Sequence, residues 1–381
     1  MKYGILSYQT FNIGDEIQSI AAKRFLPKID YYFDRDNIDN TKITKPTKLI
    51  LNGWYIDHPE NWPPSSSYLH PLLISIYIEQ FLNKKIKESF LSEQSLSFLR
   101  KNGPVGARDL STLEFLRKND IDAYFSGCLT LTIKKDPRIK RQDFILAVGL
   151  PPKIIDNIKK KTKRQILTFD SLHNKNLSTE ERFAIAKYYL FLYQSAHAVV
   201  TTRLHCMLPC LALNTPVIAL TEKEPHRYNG LIQLANHCSI HDFIEHSYDL
   251  ESPPPNPSSY LELRENLIKK TTSFTQYDSK TSFLDNTTLN SFLQNPNLLS
   301  ALAKSVSYSG ATQIKNIDLL NKINNVIHEY ETDIEAQKNT IAKLRQSQEE
   351  LLKNLRLSEN PGIKTSLKNL RQATINKIRQ H

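Results

Sequence analysis

Glycine is scarce in this chain, 10 residues in 381, where an average protein carries about 7%. Neither GxGxxG nor GxxxxGK[ST] occurs, so a bound phosphate must be held by something other than the familiar glycine-rich loops. Cysteine is equally sparse. Cys128, Cys206, Cys210 and Cys238 are too few and too scattered for a disulfide framework. Cys206 and Cys210 lack the second pair that a zinc site needs, so no metal is expected and the thiols read as reduced and mostly buried. No apolar run reaches the ~18 residues needed to span a bilayer, and the opening MKYGILSYQT is too short and too polar for a signal peptide. A cytoplasmic location is the expectation.

What the chain does have is positive charge: a formal net charge of +11, which calls for an anionic partner without naming it. Nucleic acid is not expected, because the basic residues are spread along the chain and do not interleave with aromatics as in a nucleic-acid module. A phosphorylated metabolite or an anionic membrane surface fits the charge as well.

From Met1 to about Asn236 short apolar runs alternate with amphipathic helical ones, the pattern of an α/β protein with parallel sheets. Strands are expected at Tyr3–Tyr8, Lys48–Asn52, Asp122–Phe125, Phe144–Gly149, Gln165–Phe169, His197–Thr201 and Val217–Leu220. Helices are expected at Asp15–Leu26, Leu110–Asn119 and Thr179–Ser195, the last opened by Ser178 with Glu181 three residues on, a capping box. The basic segment KKDPRIKRQD interrupts the pattern, which suggests two Rossmann-like domains, 1–140 and 141–250, with a cleft between them. Residues 251–312, rich in Pro, Ser, Thr and Asn, read as a connector with short helices. In 313–357 Leu320, Ile323, Ile327, Tyr330, Ile334, Ile341, Leu344, Leu351 and Leu355 occupy heptad a and d positions. That spacing predicts a coiled coil and a homo-oligomer. The tail, 358–381, reads either as a basic interfacial helix suited to peripheral membrane contact or as a solvated end.

Three short stretches bear on chemistry. In VVTTRLHCM a β-branched strand hands over to an apolar helix, which places Thr202, Arg203 and His205 at the strand's carboxyl end. Open α/β sheets bind ligands there, and free N–H groups and the helix dipole attract an anion. Arg203 adds a planar fork for phosphate or carboxylate, and His205 a proton near its reference pKa of about 6.5. In GARDLSTLEFL, Arg108 ends a strand-like PVGA while Asp109 is a natural helix N-cap. In FNIGDEIQSIAAKRFL, Gly14 makes a tight turn, and Asn12 and Asp15 can either hold a polar ligand or cap the helix.

Together NIGDEIQSIAA, GARDLSTLEFL, SGCLTLTI and above all VVTTRLHCMLPCLALNTPVIAL resemble the polysaccharide pyruvyl transferases over roughly Lys2 to Asn236. The resemblance implies a GT-B-like pair of Rossmann domains, phosphoenolpyruvate as donor substrate with no further cofactor, and a sugar or lipid-linked glycan diol as acceptor. The diol would belong to a bacterial-type surface polysaccharide or glycolipid precursor and become a pyruvate ketal. It implies that Arg203 and His205 bind the donor with Arg108, and that an N-domain histidine takes part, for which His58 stands first and His70 second. The chain departs from the family's glycine-rich turn after the third strand, carrying Asn52, Gly53 and Trp54 there. Aromatics from Trp54 to Tyr68 offer flat faces for a sugar or, equally, packing beneath a Pro-rich loop.

Two other functions compete with this one. A GT-B glycosyltransferase would use Glu222 or Glu224 on a nucleotide sugar, and a non-catalytic glycan-binding scaffold would leave the work to the coiled coil.

Overall fold

The computed structural model describes residues 1–55, 57–80, 84–170, 178–221, 226–246, 248–286 and 288–290, with 342–343, 346–347 and 349–350. The chain divides into two compact units, Met1–Ile317 and Asp318–His381. In the second, the six described residues are helical. The expected coiled coil and basic tail otherwise lie outside the described residues.

The first unit holds two parallel sheets. The first contains β1 (Lys2–Ser7), β2 (Tyr31–Asp34), β3 (Thr47–Tyr55), β4 (Leu69–Ile78), β5 (Val105–Ala107) and β6 (Ala123–Phe125), in the order β2-β1-β3-β4-β5-β6. Its helices are α1 (Gly14–Lys23), α2 (Lys84–Phe90), α3 (Glu93–Lys101) and α4 (Leu110–Lys118). The second contains β7 (Phe144–Val148), β8 (Gln165–Phe169), β9 (Ala198–Thr201), β10 (Val217–Thr221) and β11 (Asn236–Ser239), in the order β11-β10-β9-β7-β8. With it go α5 (Pro152–Lys161), α6 (Thr179–Ser195), α7 (Leu204–Ala212) and α8 (Ile240–Glu245).

Both sheets wind alike. In each, the second strand lies outside the first and the third lies on the first strand's other side, so winding reverses between β1 and β3 and again between β7 and β9. Such reversal points leave a crevice at the strands' carboxyl ends. Strands covered on both faces read as unbroken apolar runs: the inner runs FILAV and VIALT are buried but for the last threonine. Each apolar side chain removed from water contributes about 1.5–3 kcal/mol. Leu49, Leu51, Leu73 and Ile76 share one core cluster and Ile145, Val200, Ile218 and Phe243 another.

α1 joins the two halves. Ile13, Ile17, Ile20 and Ala21 recur at helical spacing, yet its polar Asp15, Glu16, Gln18 and Ser19 are buried as well. The reason is that the helix packs on β3 on one side and on α6 and α7 on the other. Glu16 is met by Arg182 of α6 at 2.5 and 3.1 Å, both side chains 1% exposed. Part of the expected connector also works harder than that name suggests. Leu261–Thr275 forms a fifteen-residue helix, α9, whose Leu263 abuts Gly127, and the bend after it gives Asp278 to Arg24 at 2.6 and 2.8 Å.

Candidate functional site

Parallel strands bring their carboxyl ends to one edge, and Arg108, Thr202, Arg203 and His205, which the sequence singles out, stand there with residues it does not. Arg108 follows β5, Cys128 lies just beyond β6, Gly149 follows β7, Asp170 follows β8, and Thr202 and Arg203 follow β9. The amino ends of α1 and α7 meet at this edge. A methyl group on Gly14 would stand 3.0 Å from His205 Nδ1, so any larger residue there would crowd the imidazole. On its other side His205 Nε2 lies 3.9 Å from Cys128 Sγ. His205 itself adopts φ −82°, ψ 17° within α7, a sparsely populated conformation that active-site residues often hold.

The cations differ in how they are met. Arg203 donates from Nη2 to Asp170 Oδ2 at 2.5 Å, and its Nε is buried without a partner. Gly149 lies beneath it at φ +66°, where a Cβ would fall 2.4 Å from that Nε. Arg108 is 2% exposed and forms no ion pair with an acid among the described residues. Its Nε too has no partner, and its guanidinium stacks 4.6 Å over the Tyr77 ring. Asp109 and Asp15 lie near enough for the Arg108 charge to draw down carboxyls that burial raises, but neither bonds it. A buried N–H without a partner costs about 1–3 kcal/mol, more for a charged group, which points to an anion that completes the arrangement. Arg227, in a short 3₁₀ turn (His226–Tyr228) after β10, adds a third guanidinium close enough to act on His205.

Burial, with Arg108 and Arg227 nearby, holds the His205 imidazole well below the ordinary histidine range. The expectation of a group titrating near 6.5 is thereby corrected. In the ligand-free chain His205 is neutral at pH 7, because two cations and poor hydration both disfavour the imidazolium.

Other expected site residues fall variously. Asp109 caps α4, its carboxylate accepting from the Thr112 backbone N–H at 2.9 Å and hydroxyl at 3.1 Å. It is thus a helix cap rather than a group held out to substrate. The Thr202 hydroxyl donates to the Gly149 carbonyl at 2.7 Å and so fastens β9 to β7. Asn12 Oδ1 accepts from Gly14 N–H at 3.1 Å and sets the entry to α1. Asp15 is buried between Thr10, Gln18 and Arg35, and burial raises its carboxyl above the usual range. His58 is exposed and pairs with Glu60 at 3.0 Å, outside the cluster. His70 stands at the amino end of β4, the wrong end of a parallel strand for the crevice. Of the aromatic wall, Tyr55 and Trp62 are core, with Trp62 stacked on Phe90 at 4.7 Å. Trp54 remains half-buried at the crevice, its ring 5.3 Å from the Arg35 guanidinium. Glu222 and Glu224 lie outside the described residues.

Sequence reasoning passed over Arg35, Glu16, Arg182, Asp170 and Arg227. Asp170 carries a signal, since it directly follows an expected strand at the edge where ligands bind. Arg35 follows β2, a strand of four residues that the pattern did not disclose. A cavity of about 810 Å³ lies away from this cluster, lined by Lys23, Arg24, Lys134 and Arg138 near the carboxyl end of α1.

The model of the polysaccharide pyruvyl transferase family matches residues 12–224. No curated protein matches the chain. Among solved structures, the Methanocaldococcus jannaschii UDP-GlcNAc 2-epimerase in complex with UDP-GlcNAc and UDP is similar at 10% identity and a TM-score of 0.35, over 79% of this chain and 100% of that one. The S. aureus MnaA–UDP structure is similar at 10% identity and a TM-score of 0.38, over 79% and 98%.

Proposed function

Since the chain belongs to the polysaccharide pyruvyl transferase family, we propose that it moves the pyruvyl group of phosphoenolpyruvate onto a sugar diol of a surface polysaccharide or glycolipid precursor, forming a ketal. The observation that carries this reading is Arg108: a buried guanidinium with an orphaned Nε and no bonded acid, beside the amino ends of two helices. Phosphoenolpyruvate brings a phosphate and a carboxylate to a place that holds Arg108, Arg203 and Arg227, and a guanidinium fork suits both groups. On this reading Arg203 exchanges Asp170 for the donor.

Donor charge also changes His205. An anion among the three guanidinium groups offsets the cations that depress the imidazole, so His205 takes up a proton when the donor binds. The imidazolium then protonates the methylene carbon of the enol. An acceptor hydroxyl adds to C2 and its proton returns to His205. The C2–O bond to phosphate breaks, the second hydroxyl closes the ring on C2, and its proton leaves with inorganic phosphate. Atoms and charge balance without an oxidant or reductant. Positioned acid catalysis of this kind contributes on the order of 10² to 10⁴ in rate.

A thermal-shift comparison tests the donor. Phosphoenolpyruvate at 100 times its dissociation constant should add about 2.7 kcal/mol of stability. Stabilisation by nucleotide sugars and none by phosphoenolpyruvate would overturn the reading in favour of a glycosyltransferase.

A further inference from the structure

The crevice between α1 and β3 holds polar atoms that the donor chemistry leaves unused. Gln18 donates from Nε2 to Asp15 Oδ1 at 3.2 Å, and its Oε1 is buried without a partner. Asn52 donates from Nδ2 to the Gln18 carbonyl at 3.0 Å, and its Oδ1 is likewise orphaned. The bonds made by the two nitrogens fix which way each amide points. Arg35 Nη1, 3.6 Å from Asp15 Oδ2, is a third buried atom with no hydrogen bond. None of the three residues is more than 1% exposed. Buried polar groups are normally paired, so three orphans linked through Asp15 and Gln18 mark a place that something else completes.

The backbone at Gly53 is less crowded than at the other glycines of the edge. Gly53 sits where the β3–β4 register shifts, and an ideal Cβ there would meet nothing nearer than the Gln18 amide and the Tyr8 hydroxyl at 3.9 Å. At Gly14 and Gly149 the equivalent space is filled by His205 and Arg203. The orphans also select a ligand class. Two amide oxygens demand two donors, and one N–H demands an acceptor. An anion would face those oxygens together with Asp15, Asp36 and Asp57, which already surround Arg35, and a cation would face Arg35. Neighbouring hydroxyls of a neutral sugar ring satisfy all three atoms, and the half-buried Trp54 offers the ring a flat face.

Resting on the donor reading above, we infer that this crevice seats the hydroxyl-bearing edge of the acceptor. Gln18 Oε1 and Asn52 Oδ1 accept from two ring hydroxyls, and Arg35 Nη1 donates to one of their oxygens. Asp15 is a positioning residue that holds Gln18 and Arg35 in place. Because Asp15 adjoins Gly14, the hydroxyls arrive next to His205.

The test uses ligand-observed NMR on the full-length chain with methyl α-D-mannopyranoside, methyl β-D-glucopyranoside and methyl β-D-galactopyranoside, each with its monodeoxy analogues. At least one parent hexoside should bind the wild type. Its affinity should fall about tenfold or more in Gln18→Met and Asn52→Leu, the loss of roughly one buried hydrogen bond, while phosphoenolpyruvate affinity stays within about twofold. The deoxy analogues give the same answer on the wild-type protein if a variant fails to fold. Equal binding of parent and deoxy hexosides, or of wild type and folded variants, overturns the inference, as does the absence of hexoside binding to a protein that binds phosphoenolpyruvate. Hexoside binding without phosphoenolpyruvate binding would instead sink the donor reading alone.

Discussion

At the crevice of the first sheet the guanidinium of Arg35 is surrounded by Asp15, Asp36 and Asp57. At that of the second, Arg203 has Asp170, and Arg108 and Arg227 close by form no ion pair with an acid among the described residues. The strand order around the two crevices is the same. Topology therefore builds two ligand-binding edges, and the side chains that follow β2, β5 and β9 decide their chemistry. On the proposed function, surplus carboxylate suits the first to neutral hydroxyls and surplus guanidinium suits the second to an anion.

The comparison can be broken most severely at His205, where the two edges touch. His205→Asn should retain phosphoenolpyruvate binding and turn over on the order of 10² to 10⁴ more slowly, measured as phosphate release per folded molecule. Normal turnover would remove His205 from the chemistry. Next in size is the buried tie between the halves. Arg182→Met leaves Glu16 without its partner and should cost about 3–5 kcal/mol in denaturant unfolding; a loss below about 1 kcal/mol would show that the pair does not hold α6 to α1.

Arg203→Lys and Gly149→Ala should act alike, one replacing the fork and the other displacing it. Each should weaken phosphoenolpyruvate by about tenfold to a hundredfold, the value of a charged hydrogen bond. A Gly149→Ala protein that binds normally would contradict the close approach on which Arg203's position depends.

The smallest effect is a slope. His205 has its pKa depressed by folding, so the unfolded chain binds the extra proton, and the stabilisation is complete above about pH 6.5 and is lost as pH falls below it. His205→Asn should flatten this acid limb of stability in proportion. An unchanged limb would mean that His205 is not held neutral.

Much of this arrangement was legible in the sequence, because β-branched runs such as VVTT and apolar runs such as FILAV follow directly from burial on both faces. Arg203, His205 and Arg108 were found through a local rule, that ligands gather at strand carboxyl ends. β2, with four residues, and the polar edge strand β11, with the sequence NHCS, carry too little pattern to be read. β4 opens on Leu69, His70 and Pro71 and so passes for the end of a Pro-rich loop. The Arg35 cluster and the Glu16–Arg182 pair join residues far apart in the chain, and no local spacing discloses them. The depressed imidazole of His205 was hidden for the same reason, since Arg227 approaches from a different strand end.

Titration calorimetry of phosphoenolpyruvate into the full-length chain at pH 7, repeated in buffers of different ionisation enthalpy, bears most directly on the claim that the second crevice is a donor anion site acting through His205. The account predicts binding accompanied by uptake of about one proton, as a depressed imidazole is relieved of the cations around it. No binding, or binding with no proton taken up, would contradict it.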